Sequence, residues 1–295
     1  MAPSLSRSSG SVFVSSGAFG RMSVEEIIAS AAHADVRHIE LASGTRHRSG
    51  DTLAQTLEDA REQGYAFLVH NYFPVPAVPF VLNLASADAE NLKRSVRHAQ
   101  DAIDLAARIG APFYSVHCGF CIEPAPEDLG RALRGPVIPP EQAEAVFVET
   151  VRELADHASK KGVDLLLENN VLAPVNAGRI QLLGVVPEEI ENLLERIGRL
   201  NVGLLLDVGH LKVSAGTLGF DMTAAAARLA PLVRCCHLSE NDGTEDSNQV
   251  IDSNAWFWKP LLDNLDVPPF WVLEAYNLPL ATISGQLALI ERRIA

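Results

Sequence analysis

Eight short apolar runs recur along the chain, each followed by a longer stretch with the spacing of an amphipathic helix. The runs span residues 12–16, 36–41, 66–70, 113–117, 164–168, 202–207, 233–238 and 271–274. The helical patterns span 24–33, 52–63, 89–109, 141–160, 187–197, 222–229, 256–262 and 280–293. Strands that alternate with helices pair in parallel, because each helix returns the chain across the sheet before the next strand begins. Eight such strands close the sheet on itself, so the expected fold is a single α/β domain, a (β/α)8 (TIM) barrel. An open doubly wound sheet would carry a GxGxxG turn after its first strand, and this chain has none there. Boundary residues agree with the alternation. Ser23 precedes Glu25 and Glu26 as a helix cap would, Pro187 suits a first turn, and Gly64, Gly110 and Gly162 stand where helices end.

The chain has 295 residues, an ordinary length for one barrel. The organisation expected is a polar, serine-rich flexible segment over residues 1–10 and one barrel domain over 11–295. The N-terminus lacks the apolar stretch of a signal peptide, and no apolar run approaches the ~20 residues that span a bilayer, so a cytoplasmic protein without a membrane partner is expected. A formal net charge of −13 repels phosphate backbones, and the densest basic stretch is only Arg46-His47-Arg48, which weighs against nucleic acid as a partner. There are four cysteines, Cys118, Cys121, Cys235 and Cys236. The first two have the spacing of a redox pair or half a zinc knuckle, but no second CxxC completes it, and buried reduced thiols are the expectation.

Chemistry is concentrated at the strand ends. His70, His117, Glu168, Asp207, His237 and Glu274 close the apolar runs of strands three to eight, and Glu40 stands near the end of strand two. Parallel strands in a barrel present these ends at one rim, where the catalytic loops also lie. One such residue alone is an unremarkable strand terminus. Six on successive strands place buried carboxylates together, which is costly without a cation, and carboxylates with imidazoles are what a divalent metal needs. His210, in Asp207-Val-Gly-His210, is read as a ligand, a hydrogen-bond donor to a substrate oxygen, or a helix-capping residue. The rim aromatics Tyr72, Phe73, Phe80, Phe120, Trp256, Phe257 and Trp258 are candidates to wall a small-molecule pocket, Phe257 and Trp258 being equally suited to pack a helix. Pro74, Pro76 and Pro79 stiffen the loop near it.

Leu166-Leu167-Glu168-Asn169, Gly203 to His210 with its Asp-x-x-His, Cys236-His237-Leu238 and Val272-Leu273-Glu274 resemble the xylose-isomerase-like barrel superfamily. The resemblance covers nearly the whole chain. It implies one divalent metal (manganese, cobalt, magnesium or zinc) held by Glu168, Asp207, His237 and Glu274, with the two glutamates also moving protons and His210 touching substrate. Glu40 and Asn169 are the further candidates for substrate hydroxyls. The stretch from His70 to Ser86, and His117, are similar to the endonuclease IV branch. That similarity implies a second ion on His70, His117 and Glu168. The third ion of that branch needs an Asp-x-His, and this chain has Asp246-Ser247-Asn248 there.

The expected function is a metal-dependent isomerase or epimerase of a small sugar or other polyhydroxy carbonyl compound, acting through a metal-stabilised enediolate. The alternatives are a dehydratase of a related keto-cyclitol or acid, and a dinuclear enzyme, holding iron, that activates oxygen. An endonuclease IV-like phosphodiester hydrolase, with Arg37 and Tyr72 in its groove, and a non-catalytic metal-binding barrel complete them. No glycine-rich phosphate loop is evident, which favours an unphosphorylated substrate. Barrels of this kind often pair, so a homo-oligomer is compatible with the chain, though no sequence feature marks an interface.

Overall fold

Parallel pairing around a full circle is what the alternation produces. The computed structural model describes residues 11–48, 50–178 and 182–295; the segment expected to be flexible, residues 1–10, lies outside them. The elements run β1 (Val12–Ser15), α1 (Val24–His33), β2 (His38–Leu41), α2 (Gly50–Glu62), β3 (Ala66–His70), α3 (Ala89–Ile109), β4 (Phe113–His117) and α4 (Pro140–Lys161). They continue β5 (Asp164–Glu168), α5 (Pro187–Ile197), β6 (Val202–Asp207), α6 (Val208–Leu218), α7 (Met222–Leu229), β7 (Val233–Leu238), α8 (Trp258–Leu262), β8 (Phe270–Leu273) and α9 (Leu280–Ile294). The strands form a closed barrel in chain order, and β1 pairs in parallel with β8 to complete it.

Helix ends are set by local chemistry. Ser23 and Glu26 form a reciprocal capping box at the start of α1. Asp88 caps α3 by accepting from the backbone N–H of Glu90 and Asn91. Gly110 and Gly162 end α3 and α4 in the left-handed conformation that a side chain would disfavour.

One helix was absent from the sequence reading. α6 starts at the residue after β6, and Asp207 is both the last strand residue and the helix cap, accepting from His210 N–H at 2.7 Å. Most of α6 is buried, so it shows no polar face, and Gly209 and Gly216 lower its propensity further.

The alternation of side chains along each strand separates packing from chemistry. Inside the barrel, Phe13, Leu68, Phe113, Leu166, Leu205, Cys235 and Val272 form one buried apolar layer. Two residues onward on the same strands stand Ser15, His70, Ser115, Glu168, Asp207, His237 and Glu274, all of them buried. With a period of two, both sets face the barrel axis, the apolar set below and the polar set at the rim. Two further buried clusters lie between strands and helices. Among the described residues no helix is long and apolar enough to cross a membrane.

Several expectations change here. Phe73, Phe80, Phe257 and Trp258 are buried in the clusters between strands and helices, so they pack the barrel rather than wall a pocket. Arg37 precedes β2, at the opposite end of the barrel from the rim, where its guanidinium lies over the Tyr65 ring; it does not reach a groove beside the site. Tyr72 is on the rim side, but its hydroxyl accepts from Leu82 N–H at 2.7 Å and braces its own loop. All four cysteines are free and buried; burial pushes the Cys121 thiol up to about 11 and Cys118 higher still, which makes both poor nucleophiles.

Candidate metal centre

The register of the barrel brings the strand ends level. His117 is paired with Glu168 across β4 and β5, and Asp207 with His237 across β6 and β7. Glu274 follows β8, and its N–H continues the ladder to Leu238 C=O. One donor atom from each of Glu168, Asp207, His237 and Glu274 lies within 4.8 Å of the others. His237 Nδ1 stands at the centre: Glu274 Oε2 is 3.0 Å away, Glu168 Oε1 3.3 Å and Asp207 Oδ2 3.8 Å.

Four buried atoms in this group, Glu168 Oε2, Asp207 Oδ2, His237 Nδ1 and Glu274 Oε2, have no hydrogen-bond partner. Buried polar atoms are nearly always satisfied, so the three that face one another, Asp207 Oδ2, His237 Nδ1 and Glu274 Oε2, call for a common partner; Glu168 turns Oε1 to this group and Oε2 to His70 and His117. Three carboxylates and one imidazole are a donor set that a divalent cation fits.

The electrostatics carry the same signature. Burial pushes the Asp207 carboxyl well above its usual range, and Glu274, Asp246 and Glu168 reinforce that against the pull of His210. Burial also opposes ionisation of Glu168, yet the imidazoles of His117, His70 and His237 outweigh it and hold the carboxyl well below the usual range. Glu274 is held down at about 2, His237 outweighing its burial. His237 and His210 are both raised well above the ordinary imidazole value despite burial, His237 by Glu274 and Glu40, His210 by Asp207, Asp246 and Glu168.

A second cluster adjoins the first. His70 Nε2 and His117 Nδ1 lie 3.4 and 3.3 Å from Glu168 Oε2, and the three residues form a separate potential ligand group. His70 Nδ1 is steadied by Ser115 Oγ at 3.0 Å. Burial pushes the His117 imidazole down to about 4, leaving it neutral and able to ligate.

The remaining candidates are placed as follows. His210 Nδ1 donates to Asn169 C=O at 2.9 Å, and Nε2 lies 3.2 Å from Asp246 Oδ2. Asn169 spends both ends of its side chain on the backbone of Asp207, accepting from its N–H at 2.8 Å and donating to its C=O at 3.1 Å. Glu40 is fully buried beside His237, whose Nε2 is 2.7 Å from Glu40 Oε2. Two participants escaped the sequence reading. Tyr276 donates its hydroxyl to Glu274 Oε1 at 3.0 Å, and Asp246 pairs with His210.

Residues 28–275 match the family described as xylose isomerase-like TIM barrel. The chain belongs to that family. Among solved structures, a D-tagatose 3-epimerase-like protein superposes with a TM-score of 0.70 at 20% identity, covering 97% of this chain and 100% of its own. The D-psicose 3-epimerase of Clostridium cellulolyticum H10, solved with D-tagatose, gives 0.67 at 15% identity over 96% of this chain and 95% of its own. A xylose isomerase-like TIM barrel protein from Mycobacterium smegmatis in complex with magnesium gives 0.66 at 17% identity over 97% and 98%. At such identities the likeness shows the shared barrel.

Proposed function

We propose that this member of the xylose isomerase-like family is a divalent-metal-dependent isomerase or epimerase of a small, unphosphorylated sugar or related polyhydroxy carbonyl compound. The observation that carries the reading is the convergence of donor atoms from Glu168, Asp207, His237 and Glu274 within 4.8 Å of one another, with Asp207 Oδ2, His237 Nδ1 and Glu274 Oε2 buried and unsatisfied. The presence of 3-epimerases among the similar folds, and of one solved with magnesium, supports it.

A cation bound there, manganese, cobalt, magnesium or zinc, supplies Lewis acidity that acidifies the C–H between adjacent carbonyl and hydroxyl groups. Glu168 and Glu274 stand three strands apart around the barrel, so they address a bound substrate from different sides. One removes the proton, and the other, after taking up a proton from solvent, delivers it to the opposite face, the exchange that inverts a carbon. Both carboxylates are held ionised, which suits the accepting role. His210, protonated between Asp207 and Asp246, donates from Nε2 to a substrate oxygen that takes the place of Asp246. Asn169 and Glu40, first expected at substrate hydroxyls, are assigned instead to the support of Asp207 and His237. The test is incubation of metal-loaded protein with a panel of ketoses in deuterated water. Deuterium at the carbon beside the carbonyl, lost in Glu168→Gln and Glu274→Gln, is expected; no exchange with any substrate or metal removes the reading. The same proton abstraction followed by loss of a β-hydroxyl would appear in this assay as a dehydrated product.

A second reading has its own observation. Glu168 Oε2 and His117 Nδ1, both buried without a hydrogen-bond partner, face each other beside His70. These three residues would hold a second ion. Two ions per chain in protein purified without chelator, iron in particular, would move oxygen activation to the front; one non-iron ion leaves the isomerase reading in place.

A further inference from the structure

Glu40 sits at the end of β2, and it is as fully buried as any residue in the protein. A carboxylate with no access to water is expensive to keep, so its surroundings must use it. Its closest polar contact is His237, 197 positions away in the chain, with Glu40 Oε2 at 2.7 Å from the ring Nε2. A carboxylate oxygen can only accept, so Nε2 carries the proton in this bond. The opposite ring nitrogen, Nδ1, is then the one that faces Glu168, Asp207 and Glu274 without a hydrogen-bond partner.

We infer that Glu40 is a positioning residue: by holding the Nε2–H of His237, it fixes the tautomer and ring orientation that deliver Nδ1 to the metal centre. The inference rests on the metal reading of the site and deepens it. His237 has no exposure, and its ring is flanked edge-on by His70, with centroids 4.9 Å apart. Packing therefore limits the ring's position, but packing cannot choose which nitrogen bears the proton. The Glu40 carboxylate can. Its negative charge also makes the imidazole a stronger donor to a cation on its far side.

The geometry distinguishes this role from two others. A substrate contact would need an oxygen reaching the rim, and fully buried Glu40 pairs across β2–β3 with Leu68 of the apolar layer, two residues short of His70. A direct ligand role, in the group Glu40, His70 and His237, would place an ion where the 2.7 Å hydrogen bond now stands.

The experiment is metal binding by competition with a chromophoric chelator, using full-length wild type and Glu40→Gln. Loss of the charge is expected to weaken zinc or manganese binding by about 10–100-fold, with the stoichiometry and the melting temperature of the metal-stripped protein retained. Equal affinity in the two proteins overturns the inference, as does loss of a whole equivalent of metal, which would make Glu40 a ligand. An altered KM at unchanged metal affinity would make it a substrate contact and overturns it equally. Should the variant not fold, the zinc-loaded wild type decides: histidine side-chain 15N spectra must show His237 protonated at Nε2 and metal-bound at Nδ1, and the reverse assignment sinks the idea. Wild type that binds no metal would instead remove the metal reading itself.

Discussion

Each titratable residue at the rim owes its behaviour to its neighbours rather than to its type. Glu168 and Asp207 are both fully surrounded carboxylates, yet one is pulled well below its usual range by three imidazoles and the other is driven well above it by burial and negative charge. If Glu274 moves a substrate proton, Glu274→Gln should lower turnover by about 10²–10⁴-fold. An active Glu274→Gln variant would remove that residue from the reaction. The pH dependence of metal binding follows from His237. Burial disfavours its charged form, but Glu274 and Glu40 raise it well above the ordinary imidazole value, so in metal-free protein Nδ1 holds a proton. A cation must displace that proton, so affinity should rise with pH, by about tenfold per unit for one proton released, and level off above the raised value. Titration calorimetry in buffers of differing ionisation enthalpy measures the released proton, and a pH-independent affinity would contradict it.

Elements were legible where the chain announces its own boundaries. The strand ending at Glu168 and the helix Pro187–Ile197 fall where the apolar runs and the proline placed them. The boundary of β2 was less legible: Val36 is buried but the ladder starts only at His38, because burial and pairing are separate properties of an apolar run. α6 was missed for the opposite reason, since a buried helix lacks the one-sided pattern that periodicity detects. The caps are testable at this scale. Asp88 satisfies two otherwise unpaired N–H groups at the head of the 21-residue α3. Asp88→Ala should cost about 1 kcal/mol of stability by urea denaturation, and no change would mean water replaces the carboxylate without penalty.

For the whole molecule, closing the barrel brings buried carboxylates together, an arrangement that is costly unless a cation or protons balance it. Glu40, Glu168, Asp207 and Glu274 converge over a layer of Phe13, Phe113, Leu166 and their neighbours that excludes water from below. A cation that binds the folded barrel alone stabilises it by about 4 kcal/mol at a thousandfold excess over Kd. Chelation should therefore lower the melting temperature by several degrees, and restoring zinc, manganese or magnesium should recover it. A melting temperature indifferent to chelator and metal alike would mean that the carboxylates are balanced by protons.

The sequence by itself determined the barrel and the membership of its rim. Strand count, alternation and the position of each acid or imidazole at a strand end are local facts, and parallel pairing sends all strand ends one way. Tertiary structure alone decided which nitrogen of His237 faces Glu168, Asp207 and Glu274, that Glu40 holds the other, and that Asn169 serves Asp207. Those contacts join residues up to 197 positions apart. They depend on barrel closure and on side-chain direction to within an ångström, and neither is encoded in the spacing of residue types along a chain.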